Sequence, residues 1–187
     1  GGLPVANFTV TGRLCTDSTI RFQSAIPFNG STSQTWHWIY GDGQTTVINN
    51  SNESVHSYTL PLVNVRIGHF VTIAGCATDT VWIEPGDVLS NPSITSTNAP
   101  PVVCTGTATT IGAASPGNIS NWIWNTPNGI NNSSPPLNIT FNNAGNVTIS
   151  VFAENNGGCR SAMANVSINV TPSPVANAGP DIFLIEG

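Results

Sequence analysis

The sequence predicts an all-β protein made of two consecutive antiparallel sandwiches. Three observations carry this. Short β-branched runs recur along all 187 residues, each broken by Gly, Pro or Asn, which is the pattern of strands separated by turns. No stretch places apolar residues at the three-to-four spacing of a buried helix face. A Trp-x-Trp pair occurs twice, at Trp36/Trp38 and Trp122/Trp124. Each pair sits between two cysteines, Cys15 and Cys76 around the first, Cys104 and Cys159 around the second. The spacings give an internal repeat of roughly 88 residues.

In the first repeat, Val5 to Val10 reads as the opening strand and Ser18 to Ser24 as the second. Thr35 to Tyr40 is the third. Its period of two puts Trp36, Trp38 and Tyr40 on one face, opposite His37 and Ile39. Two tryptophans and a tyrosine make that face core. Gly41-Asp42-Gly43 then closes a tight turn, since glycine takes positive φ at no steric cost, and Gln44 to Ile48 runs back alongside. Ser54 to Leu60, His69 to Ala74 and Thr80 to Glu84 complete the set. Leu62 to Ile67 reads as an insertion, and Gly86 to Asn91 as a junction.

The second repeat has the same order. Cys104 precedes a strand over Gly106 to Ala113, and Trp122-Ile123-Trp124 matches Trp36-His37-Trp38. Asn128-Gly129 is its hairpin turn. Val147 to Phe152 alternates as a half-buried strand, Asn155 to Cys159 turns, and Ala164 to Val170 closes the sandwich. The expected domains are 1–86, 87–173 and 174–187. The last is the first strand of a further repeat, because Pro174-Val175-Ala176-Asn177 echoes Pro4-Val5-Ala6-Asn7. The abrupt ends read as those of a piece of a longer protein.

Composition narrows the function classes. Only 7% of residues are charged, against about 25% in ordinary soluble domains. There is no lysine, and the four cations are Arg13, Arg21, Arg66 and Arg160, leaving a net charge of −5. Nucleic acid as a partner is excluded, since it requires a basic patch to neutralise phosphates. No apolar run approaches the length that crosses a bilayer, so no membrane insertion is expected.

Trp36 to Gly43, followed by His56-Ser57-Tyr58, resembles the polycystic-kidney-disease (PKD) repeat. That family's pattern is Trp-x-Phe-Gly-Asp-Gly and then His-x-Tyr, with Tyr40 here in place of the Phe. The resemblance implies tandem immunoglobulin-like (PKD-type) β-sandwiches, with Trp36, Trp38, Gly41, Asp42, Gly43, His56, Tyr58, Trp122 and Trp124 as structural motif residues. The second copy lacks Gly-Asp-Gly and is similar to the degenerate immunoglobulin-like repeats that accompany PKD repeats. The cysteine placement resembles large Bacteroidetes adhesins, including those of gliding motility. It implies a non-catalytic structural or adhesive segment of a secreted cell-surface protein: a stalk, adhesin or filament. Its partners would be neighbouring repeats, a surface polysaccharide or another surface protein. The alternative is an accessory carbohydrate- or protein-binding module of a secreted hydrolase. Asp17-Ser18-Thr19 and Asp79-Thr80-Val81 fit the O-glycosylation pattern of that group and make Ser18 and Thr80 glycosylation candidates.

Four cysteines without C-x-x-C spacing point to disulfides rather than zinc. Two pairings stay open. One is Cys15–Cys76 with Cys104–Cys159, inside each repeat. The other joins Cys15 to Cys159 across repeats, leaving Cys76 for a preceding repeat and Cys104 for a following one. Strand direction in the resembled fold favours the second. Within a repeat the two cysteines fall at opposite ends of strands about 20 Å long, too far for a bridge needing Cα atoms within about 7 Å.

No catalytic residue, cofactor or metal site is expected. There is no Gly-x-Ser-x-Gly elbow and no Asp-x-Asp-x-Asp-Gly calcium loop. Asp42 reads as a turn acid binding nearby backbone amides, and His37 as a sheet-surface residue. His69 has no partner that spacing identifies. Trp82 reads as packing at the junction or on a sheet face.

Overall fold

The computed structural model describes residues 2–30, 33–177 and 179. Among them the regular structure is all β. Most of the expected third repeat over 174–187 lies outside the described residues. The chain divides into two compact units. The first comprises Gly1–Ser93 together with Ser115–Asn121 and Ala153–Ala162; the second comprises Ile94–Ala114, Trp122–Phe152 and Met163–Gly187.

In the first unit, β1 (Phe8–Thr11), β2 (Ile20–Ser24) and β5 (Glu53–His56) form one sheet in the order β1-β2-β5. The facing sheet is built on β3 (Gln34–Ile39), flanked by β4 (Thr45–Ile48) and β6 (Leu62–Ile73); β6 also pairs with β7 (Cys76–Ala77) and β8 (Val81–Val88). The two-residue period decides what is buried. In β2, Ile20, Phe22 and Ser24 are buried while Arg21 and Gln23 face water. In β3, Trp36 and Trp38 are fully buried, and Tyr40 continues the same row. Around them close Phe22, Ile67, Val71 and Tyr58.

The expected insertion over Leu62 to Ile67 is instead the first half of β6, a strand of 12 residues. Irregular registers between Leu62/Val65 and Val65/Ile67 interrupt its pairing with β8. Asn64 takes φ 50° there, and its amide is held by Asp87 Oδ1 at 2.7 Å. The alternating pattern is broken at this bulge, which is why the segment does not read as strand. The expected junction over Gly86 to Asn91 is likewise structured: β8 runs to Val88, and Leu89 bridges Cys15 in parallel. Strand one begins later than expected, at Phe8.

In the second unit, β9 (Ser96–Asn98), β11 (Ala108–Ala114) and β14 (Leu137–Thr140) form one sheet, ordered β14-β11-β9. β10 (Val102–Cys104), β12 (Asn121–Thr126), β13 (Gly129–Asn131), β15 (Gly145–Glu154) and β16 (Ala164–Thr171) form the other, ordered β10-β16-β15-β12-β13. Trp124, Ile111, Ile149 and Val151 fill its centre without exposure. Thr126 pairs with Gly129 across the β12–β13 turn, and Gly129 takes φ 110°, a value that favours glycine.

Candidate functional site

Two constellations stand out in the first unit. One surrounds the Gly-Asp-Gly turn. Asp42 Oδ1 accepts from the Gln44 amide at 2.9 Å, the turn role the sequence predicts. Its Oδ2 lies 2.7 Å from His56 Nε2. The His56 ring stacks on Tyr40 at 4.0 Å, nearly parallel. Tyr58 Oη donates to the Tyr40 carbonyl at 2.7 Å, and Tyr40 Oη meets Ser54 Oγ at 2.6 Å. Burial, and then the Asp42 charge, push the Tyr58 hydroxyl well above the ordinary tyrosine range, so it stays a donor. Gly41, at φ 82°, lies where a Cβ would fall 2.6 Å from the Arg66 carbonyl; only glycine fits. These bonds and the His56–Tyr40 stack fasten the β3–β4 turn to β5.

Deeper in the core, His69 is fully buried. Its ring stacks on Trp38 at 3.8 Å. Nδ1 lies 2.9 Å from the His37 carbonyl and Nε2 2.8 Å from Ser24 Oγ. An Nδ1–H donating to the carbonyl leaves Nε2 to accept from the serine hydroxyl, whose oxygen takes the Ile26 amide at 3.2 Å. Sequence reasoning found no partner for His69, because Ser24 lies 45 residues away. The one available signal was its period-two register with Ile67 and Val71. Burial drives the His69 pKa down to about 4. His37, on the opposite face, stacks on Phe70 at 4.1 Å and bonds Thr35 and Thr72.

The second constellation is a joint. Cys15 and Cys159 are bonded, with Cα atoms 5.6 Å apart, and both are buried. Cys76 and Cys104 are free; neither bonds Cys15 or Cys159. The β15–β16 turn carrying Cys159 belongs to the first compact unit. Arg13 donates to Glu154 Oε2 at 3.2 Å and to the Gly158 carbonyl. Arg160 holds the same carboxylate at 2.7 Å. These two cations hold the Glu154 pKa below the usual carboxylate range. Asn155 Nδ2 donates to the Ser90 carbonyl at 3.1 Å, and Gly157 sits against Leu89 so closely that a Cβ would strike it.

Of the other predicted residues, Ser18 is half-buried and Thr80 exposed. Trp122 and Trp124 stack in the core of the second unit at 6.5 Å. Trp82 lies on the face of its sheet, with the Arg66 guanidinium 4.5 Å from its ring. It covers Gly68, where a Cβ would meet the ring at 2.7 Å. Among the described residues no group of three or more His, Cys, Asp or Glu is placed to hold a metal ion. A groove of about 340 Å³ in the second unit is lined by Asn128, Asn131, Asn138 and Asn142 with Ile130 and Thr140, and no aromatic ring faces it.

Residues 93–168 match the PKD domain family. The match falls within the expected second repeat, the one without Gly-Asp-Gly, and supports a PKD-type β-sandwich fold there. Among solved structures, the chain is similar to the fibronectin(III)-like modules of Clostridium thermocellum CbhA (14% identity, TM-score 0.49, 94% of this chain and 100% of that one). It is similar to a C-terminal intimin fragment solved with the intimin-binding domain of the translocated intimin receptor (12%, TM-score 0.50, 90% of this chain and 64% of the fragment). It also aligns with three N-terminal domains of the bacteriophage RB49 Highly Immunogenic Outer Capsid protein (15%, TM-score 0.33, 89% and 59%). At these identities the likeness concerns fold alone. No curated protein matches the chain. PKD and immunoglobulin-like folds are typically non-catalytic, and a disulfide-bonded sandwich of this kind is typical of extracellular domains.

Proposed function

We propose that this chain is a non-catalytic structural and adhesive repeat segment of a secreted cell-surface protein, of the kind found in large Bacteroidetes adhesins. Its repeats are 1–86 and 87–173, with a further one opening at 174. The observation that carries the reading is the joint at Cys15–Cys159. A cysteine that opens one repeat is bonded to the hairpin cysteine of the next, and Arg13, Asn155 and Leu89 fit around the bond. A module that serves alone beside a catalytic domain has no use for such a fitting; a segment among neighbouring repeats does.

The hydrolase-accessory reading draws less support. Carbohydrate recognition commonly stacks sugar on exposed aromatic faces. The exposed large aromatics among the described residues are Phe28 and Trp82. Phe28 turns its edge to Trp36, and Trp82 is occupied by Arg66 and Gly68. Antibodies raised against the folded segment test the proposal. They label intact cells, and deleting the segment from its parent gene lowers attachment to surfaces. If the antibodies instead recover a secreted hydrolase that loses its hold on insoluble polysaccharide when the segment is deleted, the accessory reading replaces this one.

A further inference from the structure

The joint has two halves, and each half occurs a second time in the chain with its cysteine free. The repetition lies in the hydrogen bonds as well as in the sequence. In the occupied joint, Thr16 donates to the Leu89 carbonyl at 2.9 Å and Cys15 bridges Leu89 in parallel. In the second repeat, Thr105 donates to the Thr171 carbonyl at 2.9 Å and Cys104 pairs with Thr171 in parallel. Asp17 and Gly106, both at positive φ, donate to the equivalent carbonyls of Tyr58 and Phe141. The hairpin half repeats as closely. Ser161 Oγ takes the Ala153 amide at 3.0 Å, two residues after Cys159; Thr78 Oγ1 takes the Val71 amide at 3.0 Å, two residues after Cys76. Glycines at positive φ, Gly158 and Gly75, precede the two cysteines.

The halves differ where the occupied joint is charged. Arg13 stands two residues before Cys15; the same place before Cys104 is Val102, 53% exposed. Glu154 pairs with Arg160 across its hairpin; the same ladder position at the first hairpin is Thr72 opposite Ala77. Seating Val102 on a Glu154-type hairpin would leave the carboxylate with Arg160 as its one guanidinium partner instead of two, and seating Arg13 on Thr72 would leave that guanidinium without its carboxylate. Each forgoes a charge-assisted contact that the occupied joint makes. The two neutral halves fit each other. Independently, Pro174-Val175-Ala176-Asn177 repeats Pro4-Val5-Ala6-Asn7, so the sequence after the second repeat resumes in the manner of the first, the type whose hairpin carries Cys76.

We propose that Cys104 forms a disulfide with Cys76 of a second copy of this two-repeat unit, head to tail. The proposal rests on the reading of the chain as a repeat segment and names its partner. The oxidant is a small-molecule disulfide such as oxidised glutathione. One protein thiolate attacks it, forming a mixed disulfide and releasing one glutathione thiolate. The second copy's thiolate then displaces the other glutathione, so two protein thiols become one disulfide while one disulfide becomes two thiols. A heterologous contact of this kind leaves each copy with one half unused at either end, so it propagates into multimers, open or ring-closed.

The test uses the 187-residue chain in a glutathione redox buffer, followed by non-reducing electrophoresis and peptide mapping. The expected result is a series of multimers that yield a Cys76–Cys104 linked peptide, with Cys15–Cys159 retained. Cys76→Ser and Cys104→Ser each remain monomeric, and an equimolar mixture of the two stops at the dimer. Val102→Arg lowers the multimer yield, and adding Thr72→Glu restores it. Dimers formed by either serine variant alone, a Cys76–Cys104 link within one chain, absence of multimers, or equal yields from the Val102 and Thr72 variants would each overturn the proposal. Monomers from a segment still found on cell surfaces would sink this inference alone; recovery with a hydrolase would sink the functional reading alone.

Discussion

Acid should destabilise the first sandwich through one residue, His69. Unfolded, its imidazole has the ordinary pKa of 6.5; folded, burial lowers it to about 4. Between these values the unfolded chain binds a proton that the folded chain refuses. Stability is therefore fully present above pH 6.5 and is lost as pH falls toward 4. At 1.36 kcal/mol per unit, the loss amounts to about 3 kcal/mol, a large fraction of the about 5–15 kcal/mol that holds a domain folded. The structural cause is specific. Protonation would put a second N–H against Ser24 Oγ, which already takes the Ile26 amide, and would place a charge in a site with no exposure to water. Urea unfolding between pH 7 and pH 4 measures the loss, and His69→Gln, which keeps a donor and an acceptor but cannot titrate, isolates it from the carboxylates and His37. The wild-type advantage over the variant should shrink by about 2–3 kcal/mol across that range. Carbon-13 spectra of the three histidines should show His69 neutral at pH 5. Parallel wild-type and variant curves, or a His69 ring titrating near 6.5, would refute the reasoning.

Other substitutions test the packing. Tyr58→Phe removes the buried donor to the Tyr40 carbonyl and should cost about 1–2 kcal/mol in chemical denaturation. Gly41→Ala sets a Cβ against the Arg66 carbonyl at positive φ; a loss of about 2 kcal/mol or more is expected, read as a lower midpoint. Gly68→Val drives the Trp82 ring from its sheet, visible as a change in tryptophan fluorescence and a loss of about 1–3 kcal/mol. Arg13→Ala removes the cation that braces Glu154 and Gly158 beside the disulfide. Arg13 is half exposed, so the pair contributes only about 0.5–1 kcal/mol, and Cys15–Cys159 should be reduced by dithiothreitol roughly two- to fivefold faster.

The parts of this fold legible in the sequence are those fixed by short-range rules. Trp36, Trp38 and Tyr40 declared a buried face by their spacing, and Asp42 declared a turn. Val147, Ile149 and Val151 did the same for the second sandwich. The missed parts depend on distant partners. Leu62 to Ile67 read as an insertion because the bulge at Asn64 breaks its alternation. His69 gave no local sign of Ser24. The joint's fittings join residues as far apart as Arg13 and Glu154, a separation that no periodicity spans. Its cysteines were visible, but Asn155 and Gly157 read as ordinary turn residues and Arg13 as one of four cations. The family match likewise fell on the region that lacks the Gly-Asp-Gly signature, since a sandwich is specified by its alternating strands more than by one turn.

The disulfide also changes what a pull on the two ends of this chain can do. Tension entering at the N-terminus reaches Cys15, crosses the sulfur bridge to Cys159 and leaves. The segment between them, a sequence separation of 144, lies off the force path. Of the sandwich strands, only β1 and β16 lie wholly outside the loop and can be peeled directly. Fully extended, the shielded segment would add about 500 Å of length at roughly 3.4 Å per residue. That slack stays locked under oxidising conditions and is released by a reductant. The reach of the molecule under tension is thus capped by one bond, and what resists ahead of it is the seating of β1 and β16 in their sheets.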